Sequence, residues 1–148
     1  MTSKISMAIL SFLSLIFIIQ GMTVNPNEYD KYKKCWAYAT CSSDGPESEE
    51  MENCFKKLKP EEVKSAYQFV NNNYFNYKSD DIPGAINEFC SYDDATKREA
   101  SNKTLNGMLD FEKKICENSD MAGECSRCKE YFDCFFSHLN QYHQQKKC

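Results

Sequence analysis

The sequence predicts an all-α fold, a single compact domain of five or six short helices cross-linked by about four disulfides. Three observations carry this expectation. Apolar residues recur at helical spacing in at least four stretches, no alternating Val/Ile/Thr run of strand type occurs, and nine cysteines follow an apolar N-terminal leader.

Residues 1–21 read as a secretory signal peptide. Lys4 is the only charge there, and it precedes an apolar run over 7–19 that is too short to cross a bilayer comfortably. Residues 22–148 are then a cysteine-rich domain released to the extracellular space. The chain holds 18 basic and 22 acidic residues, a net charge of −4. Such a balance, with only scattered lysine pairs, excludes nucleic acid and anionic membranes as natural partners. No later segment is apolar enough for stable membrane insertion. Trp36 and nine tyrosines supply an aromatic content that a disordered chain would lack.

The elements follow in order. A first helix opens at Asn25-Pro26-Asn27-Glu28, where Asn25 caps, Pro26 suits the first turn and Glu28 completes a capping box. Its stripe is Tyr29, Tyr32, Trp36 and Ala39. After a turn at Ser42-Ser43-Asp44-Gly45-Pro46, a second helix near 48–58 aligns Met51, Cys54, Phe55 and Leu58. Pro60-Glu61-Glu62 starts a third, its acids favourably placed against the helix dipole. It carries Val63, Tyr67, Val70, Tyr74 and Tyr77, and Asn71-Asn72-Asn73 weakens its later turns. Ser79-Asp80-Asp81-Ile82-Pro83 breaks the chain and starts a fourth helix with Ile86, Phe89 and Cys90 on one face. Residues 92–103 are polar and read as an exposed helix or a loop. Leu105, Met108, Leu109, Phe111, Ile115 and Cys116 mark a further helix. The last is the clearest: Cys125, Cys128, Phe132, Phe135, Leu139 and Tyr142 are spaced three or four apart without interruption, and such a stripe is more often core than a ligand groove.

The cysteine intervals in an oxidising compartment read as a disulfide framework. Cys35, Cys41, Cys54, Cys90, Cys116, Cys125, Cys128 and Cys134 are the expected bridge-formers, with connectivity open. Cys35 and Cys41, like Cys128 and Cys134, lie six residues apart on expected helices. The rise between them is roughly 9 Å, beyond one disulfide, so neither pair is expected to close locally. Cys148 is the expected unpaired thiol, able to join two chains into a disulfide-linked homodimer. The alternative is that it staples the tail and another cysteine stays free.

No catalytic constellation, cofactor site or metal site is predicted. Cys125-Ser126-Arg127-Cys128 lacks the strand-to-helix context of a redox motif. Cys125, Cys128, Cys134 and His138 are a drawable zinc set, but oxidation captures such thiols first. His138 and His143 sit about 140° apart around the last helix and cannot address one centre. Asp80-Asp81 and Asp93-Asp94 read as helix caps, not as an acid/base dyad or calcium loop. The Cys-Cys-x2-His core and glycine-rich calcium loop of secreted phospholipase A2 have no counterpart. Asn102-Lys103-Thr104 is the single N-glycosylation sequon and places Asn102 at the surface.

The run Lys34-Cys35-Trp36 and the run from Cys54-Phe55-Lys56-Lys57-Leu58 to Lys59-Pro60-Glu61-Glu62-Val63, set in an acidic helical chain rich in Tyr, Phe and Cys, resemble the small cysteine-rich helical proteins of arthropod, especially arachnid, venoms and secretions. That resemblance implies a secreted, toxin-like, non-enzymatic protein that acts by binding an extracellular protein target. Insect odorant-binding proteins offer a second comparison. Cys116-x8-Cys125 matches one of their spacings, whereas their Cys-x3-Cys is missing. The alternative function is accordingly an extracellular carrier of a small apolar ligand in an inter-helix cavity, with Trp36, Tyr67, Phe132 and Phe135 as lining.

Overall fold

A computed structural model describes residues 26–148, with side chains from Asp30 onward. The leader expected over 1–21, the Asn25 cap and the Glu28 and Tyr29 side chains lie outside the described residues. Within them the chain is mostly helical and contains no strand. Helix α1 covers Pro26–Ala37 and runs on into a π-helical turn at Tyr38–Ser42. Then come α2 (Glu47–Phe55), α3 (Pro60–Asn73), α4 (Ile82–Ser91) and α5 (Asp94–Cys116). A 3-10 turn at Ser119–Met121 leads into α6 (Ala122–Gln144).

The helix starts follow the local chemistry. Glu47, Glu49 and Glu50 occupy the first turn of α2, where the helix dipole favours negative charge. Pro60 opens α3, and the Lys59 backbone N–H donates to Glu62 Oε2 at 2.8 Å. Asp81 caps α4 by accepting from the Gly84 N–H at 2.7 Å. Asp93 caps α5 by accepting from the Thr96 N–H at 2.8 Å. Both acidic pairs are therefore helix starts. The three asparagines end α3, as their low helix propensity suggests. Tyr77 lies beyond that helix end, so it is no continuation of the α3 stripe. It is nevertheless buried, its N–H donating to Asn71 Oδ1 at 2.6 Å.

The polar stretch 92–103 is not a separate loop. From Asp94 it is the first half of a 23-residue helix whose Ala100 and Ser101 are buried. Gly107 in the same helix meets α3 closely. A Cβ there would stand 2.8 Å from the Tyr74 ring and 3.1 Å from Val70 Cγ2. Only a missing side chain lets the two helices approach this far.

Two buried clusters make the interior. The larger joins Tyr32, Cys35 and Ala39 of the first element, Met51 and Cys54 of α2, Leu105 of α5, and the α6 face from Cys128 to Tyr142. The smaller gathers Tyr77, Ala85, Phe89 and Ala100. Trp36 packs against both and stacks on Phe89 with ring centroids 5.0 Å apart. Helix α6 buries a wider face than its spacing predicts, because Tyr131 and Phe136 are also inside. Two of the acids turn inward against cations. Glu62 meets Arg127 of α6, and Glu47 meets Lys147 of the tail.

The bridges are Cys35–Cys148, Cys41–Cys90, Cys54–Cys134 and Cys116–Cys125, with Cα separations of 4.9 to 5.7 Å. Neither pair six residues apart is joined to itself, in keeping with the helical rise. Two expectations are corrected. Cys148 is not an unpaired thiol: the Lys147–Glu47 ion pair and the backbone bond from the Lys147 N–H to the Tyr142 carbonyl fold the tail back onto α1. Its sulfur is thereby committed within the chain and cannot link a homodimer. Cys128 is not a bridge-former: it is the free cysteine, buried on the inner face of α6.

Candidate functional site: an apolar cavity among the helices

The fit of the six helices leaves a cavity of about 560 Å³ between the two clusters. Every helix contributes to its wall. Tyr32 and Trp36 come from α1, Met51 and Phe55 from α2, and Val63, Tyr67 and Val70 from α3. Ile82, Ala85, Ile86 and Phe89 come from α4, Leu105, Met108 and Phe111 from α5, and Cys128, Tyr131, Phe132, Phe135 and Leu139 from α6. The four aromatic residues expected to line a ligand cavity, Trp36, Tyr67, Phe132 and Phe135, all do so. The sequence offers no marker for the remaining wall. Met51, Met108, Ala85 and Val70 are ordinary stripe residues whose role depends on how far apart the helices settle.

Size and chemistry agree with a ligand site. Small-molecule pockets span about 300–1,000 Å³, with mostly apolar walls and a few polar groups. A sealed, empty cavity of 560 Å³, at about 24 cal/mol per Å³, would cost about 13 kcal/mol, as much as the whole net stability of a domain, about 5–15 kcal/mol. The cavity is not sealed. Ser48, Glu52, Pro83 and Asn87 belong to its wall and are also exposed, so it opens to solvent beside α2 and α4.

The cavity's buried polar atoms are few. The Tyr67 hydroxyl donates to the Ser79 carbonyl at 2.5 Å. The Ser101 hydroxyl donates to the Lys97 carbonyl at 2.7 Å within its own helix. Tyr77 Oη and Thr104 Oγ1 lie 2.8 Å apart and share a hydrogen bond. Burial pushes the Tyr77 phenol up to about 12 and also raises Tyr67, with the Glu88 carboxylate adding to both. Glu88 itself is held below the usual carboxylate range, first by the Tyr92 hydroxyl and then by the Lys78 and Ser79 N–H groups. Burial likewise pushes the Cys128 thiol up to about 12, so it borders the cavity as a neutral, unreactive group.

The other sequence candidates fall elsewhere. Cys125, Cys128, Cys134 and His138 do not form one cluster: Cys125 is bridged to Cys116 and Cys134 to Cys54. Cys54, Cys134 and His138 do place their ligand atoms within 4.8 Å of one another, but the two sulfurs are bonded together and offer no thiolate. His138 stacks on Tyr142 at 5.9 Å and is positioned 3.8 Å from Glu50. Asn102 is half-buried in the middle of α5, and Thr104 of its sequon turns to the cavity. No helix among the described residues is long and apolar enough to cross a membrane. No protein family, curated protein or solved structure matches the chain.

Proposed function

We propose that this protein is an extracellular carrier of a small apolar ligand, held in the cavity among its six helices. The observation that carries the reading is a space of about 560 Å³ with a mostly apolar wall supplied by every helix. Transfer of apolar surface from water into that wall yields about 25 cal/mol per Å², which a drug-sized lipophile collects over most of its area. Four disulfides tether the helices to one another and limit how far they can rearrange around the space. Secretion fits the same four bridges, which persist in oxidising surroundings.

The reading expected first from the sequence, capture of a protein target by a venom-type or glandular component, calls for a contiguous exposed apolar patch. The apolar cavity is recessed among the helices and not displayed as such a patch, which favours the carrier. The test is to incubate the folded, oxidised protein with a mixed-lipid extract, repurify it, extract it with organic solvent and identify what is released by mass spectrometry. A small lipophile recovered at about one per chain is expected. Recovery no greater than from a reduced, denatured control would overturn the proposal.

A further inference from the structure

We infer that the cavity selects a neutral lipophile bearing one hydroxyl or carbonyl oxygen, which accepts a hydrogen bond from the Tyr77–Thr104 pair. This rests on the carrier reading and names the class of its ligand.

A hydroxyl carries one donor and two acceptor sites. The Tyr67 and Ser101 protons are spent on carbonyls of the protein. Tyr77 and Thr104 hold two hydroxyl protons between them, and one is used in the 2.8 Å bond they share. Whichever residue donates, the second proton is not spent in that bond. Tyr77 is 6 % exposed and Thr104 half-buried. A spare donor on Tyr77 therefore costs about 1–3 kcal/mol unless water or a ligand accepts from it, and one on Thr104 costs less. Both residues line the cavity, and a ligand oxygen is the group that meets the need.

Charge decides against an ionised head. The Glu88 carboxylate accepts from the Lys78 and Ser79 N–H groups at 2.9 and 3.3 Å. Lys78 directly follows Tyr77 in the chain, and the Ser79 carbonyl holds the Tyr67 hydroxyl. Burial raises the Tyr67 phenol first, and the negative field of Glu88, Asp81 and Asp80 raises it further. A carboxylate brought to the pair would meet that field in a poorly hydrated place, and an ammonium would bring no lone pair for the spare proton. A hydrocarbon would leave the donor unmet. An alcohol, aldehyde, ketone or ether satisfies it without carrying a charge inside.

The experiment is displacement of N-phenylnaphthylamine from the full oxidised chain at neutral pH by a ten-carbon series: decane, decanol, methyl octyl ketone, decanoate and decylamine. Decanol and the ketone are expected to displace the dye at concentrations about ten-fold below those of the other three, the ratio a good buried hydrogen bond provides. In the double variant Tyr77→Phe/Thr104→Val, which removes both protons, the advantage of decanol over decane should shrink to about three-fold or less. Either single variant leaves one proton for the ligand and keeps most of that advantage. Thermal melts identify whichever variant remains folded. If decanoate or decylamine competes as well as decanol, or if the double variant folds and keeps the wild-type ratio, the ligand class is wrong while the carrier stands. If the dye does not bind, or no member of the series displaces it, the carrier reading itself fails.

Discussion

Glu47 shows how a single side chain ties down the end of the chain. Its carboxylate accepts from Lys147 and from the Ser43 hydroxyl, and these contacts, Lys147 foremost, lower it from an ordinary 4.5 to about 2. Glu62 is lowered by Arg127 in the same sense. A depressed carboxylate stabilises fully above its unfolded value and loses that contribution as pH falls through its folded one. Glu112 and Glu124, raised mainly by burial, act in the opposite direction. The melting temperature should therefore fall as pH drops from 4.5 towards about 2, and Glu47→Gln should flatten that slope, as followed by circular dichroism. An unchanged slope would detach Glu47 from the tail. None of this was legible in the residue string. Glu47 reads there as one acid among several at a helix start, and its partner lies 100 residues away. Cys128 was misread for a related reason. Spacing places it on the inner face of α6, but only the packing shows that no second sulfur faces it.

At the level of elements the sequence was far more informative. Helical periodicity located all six helices, and proline, aspartate and glutamate marked the starts of all but α6, which opens after Met121 without a side-chain cap. The boundaries that failed did so where tertiary contacts overrode local preference. The polar segment after Tyr92 joins α5 because Ala100 and Ser101 pack inward, and Tyr77 is buried without being helical. The bridges that join the elements differ sharply in span. Cys35–Cys148 encloses 113 residues and Cys116–Cys125 only nine. Loop-closure entropy gives about 4–5 kcal/mol for the long loop and about 2.5 kcal/mol for the short one. Guanidinium unfolding of the paired serine variants should thus find Cys35→Ser/Cys148→Ser the less stable by about 2 kcal/mol. The reverse order would show that the tail bridge is not the main cross-link.

For the whole molecule, fold class was readable and the cavity was not. Trp36, Tyr67, Phe132 and Phe135 were recognisable as inward-facing aromatics. Whether such residues fill a core or surround a space depends on how far the disulfides and close approaches such as Gly107 set the helices apart, and no local pattern encodes that. Trp36, the single tryptophan of the chain, lies on the cavity wall and packs against both buried clusters, so it reports directly on what enters. Titration of the folded, oxidised protein with N-phenylnaphthylamine, read through Trp36 fluorescence, is the measurement closest to the central claim. The account predicts saturable change at one dye per chain, reversed by an apolar competitor. A cooperative, fully folded protein whose Trp36 emission stays constant across the titration would contradict it.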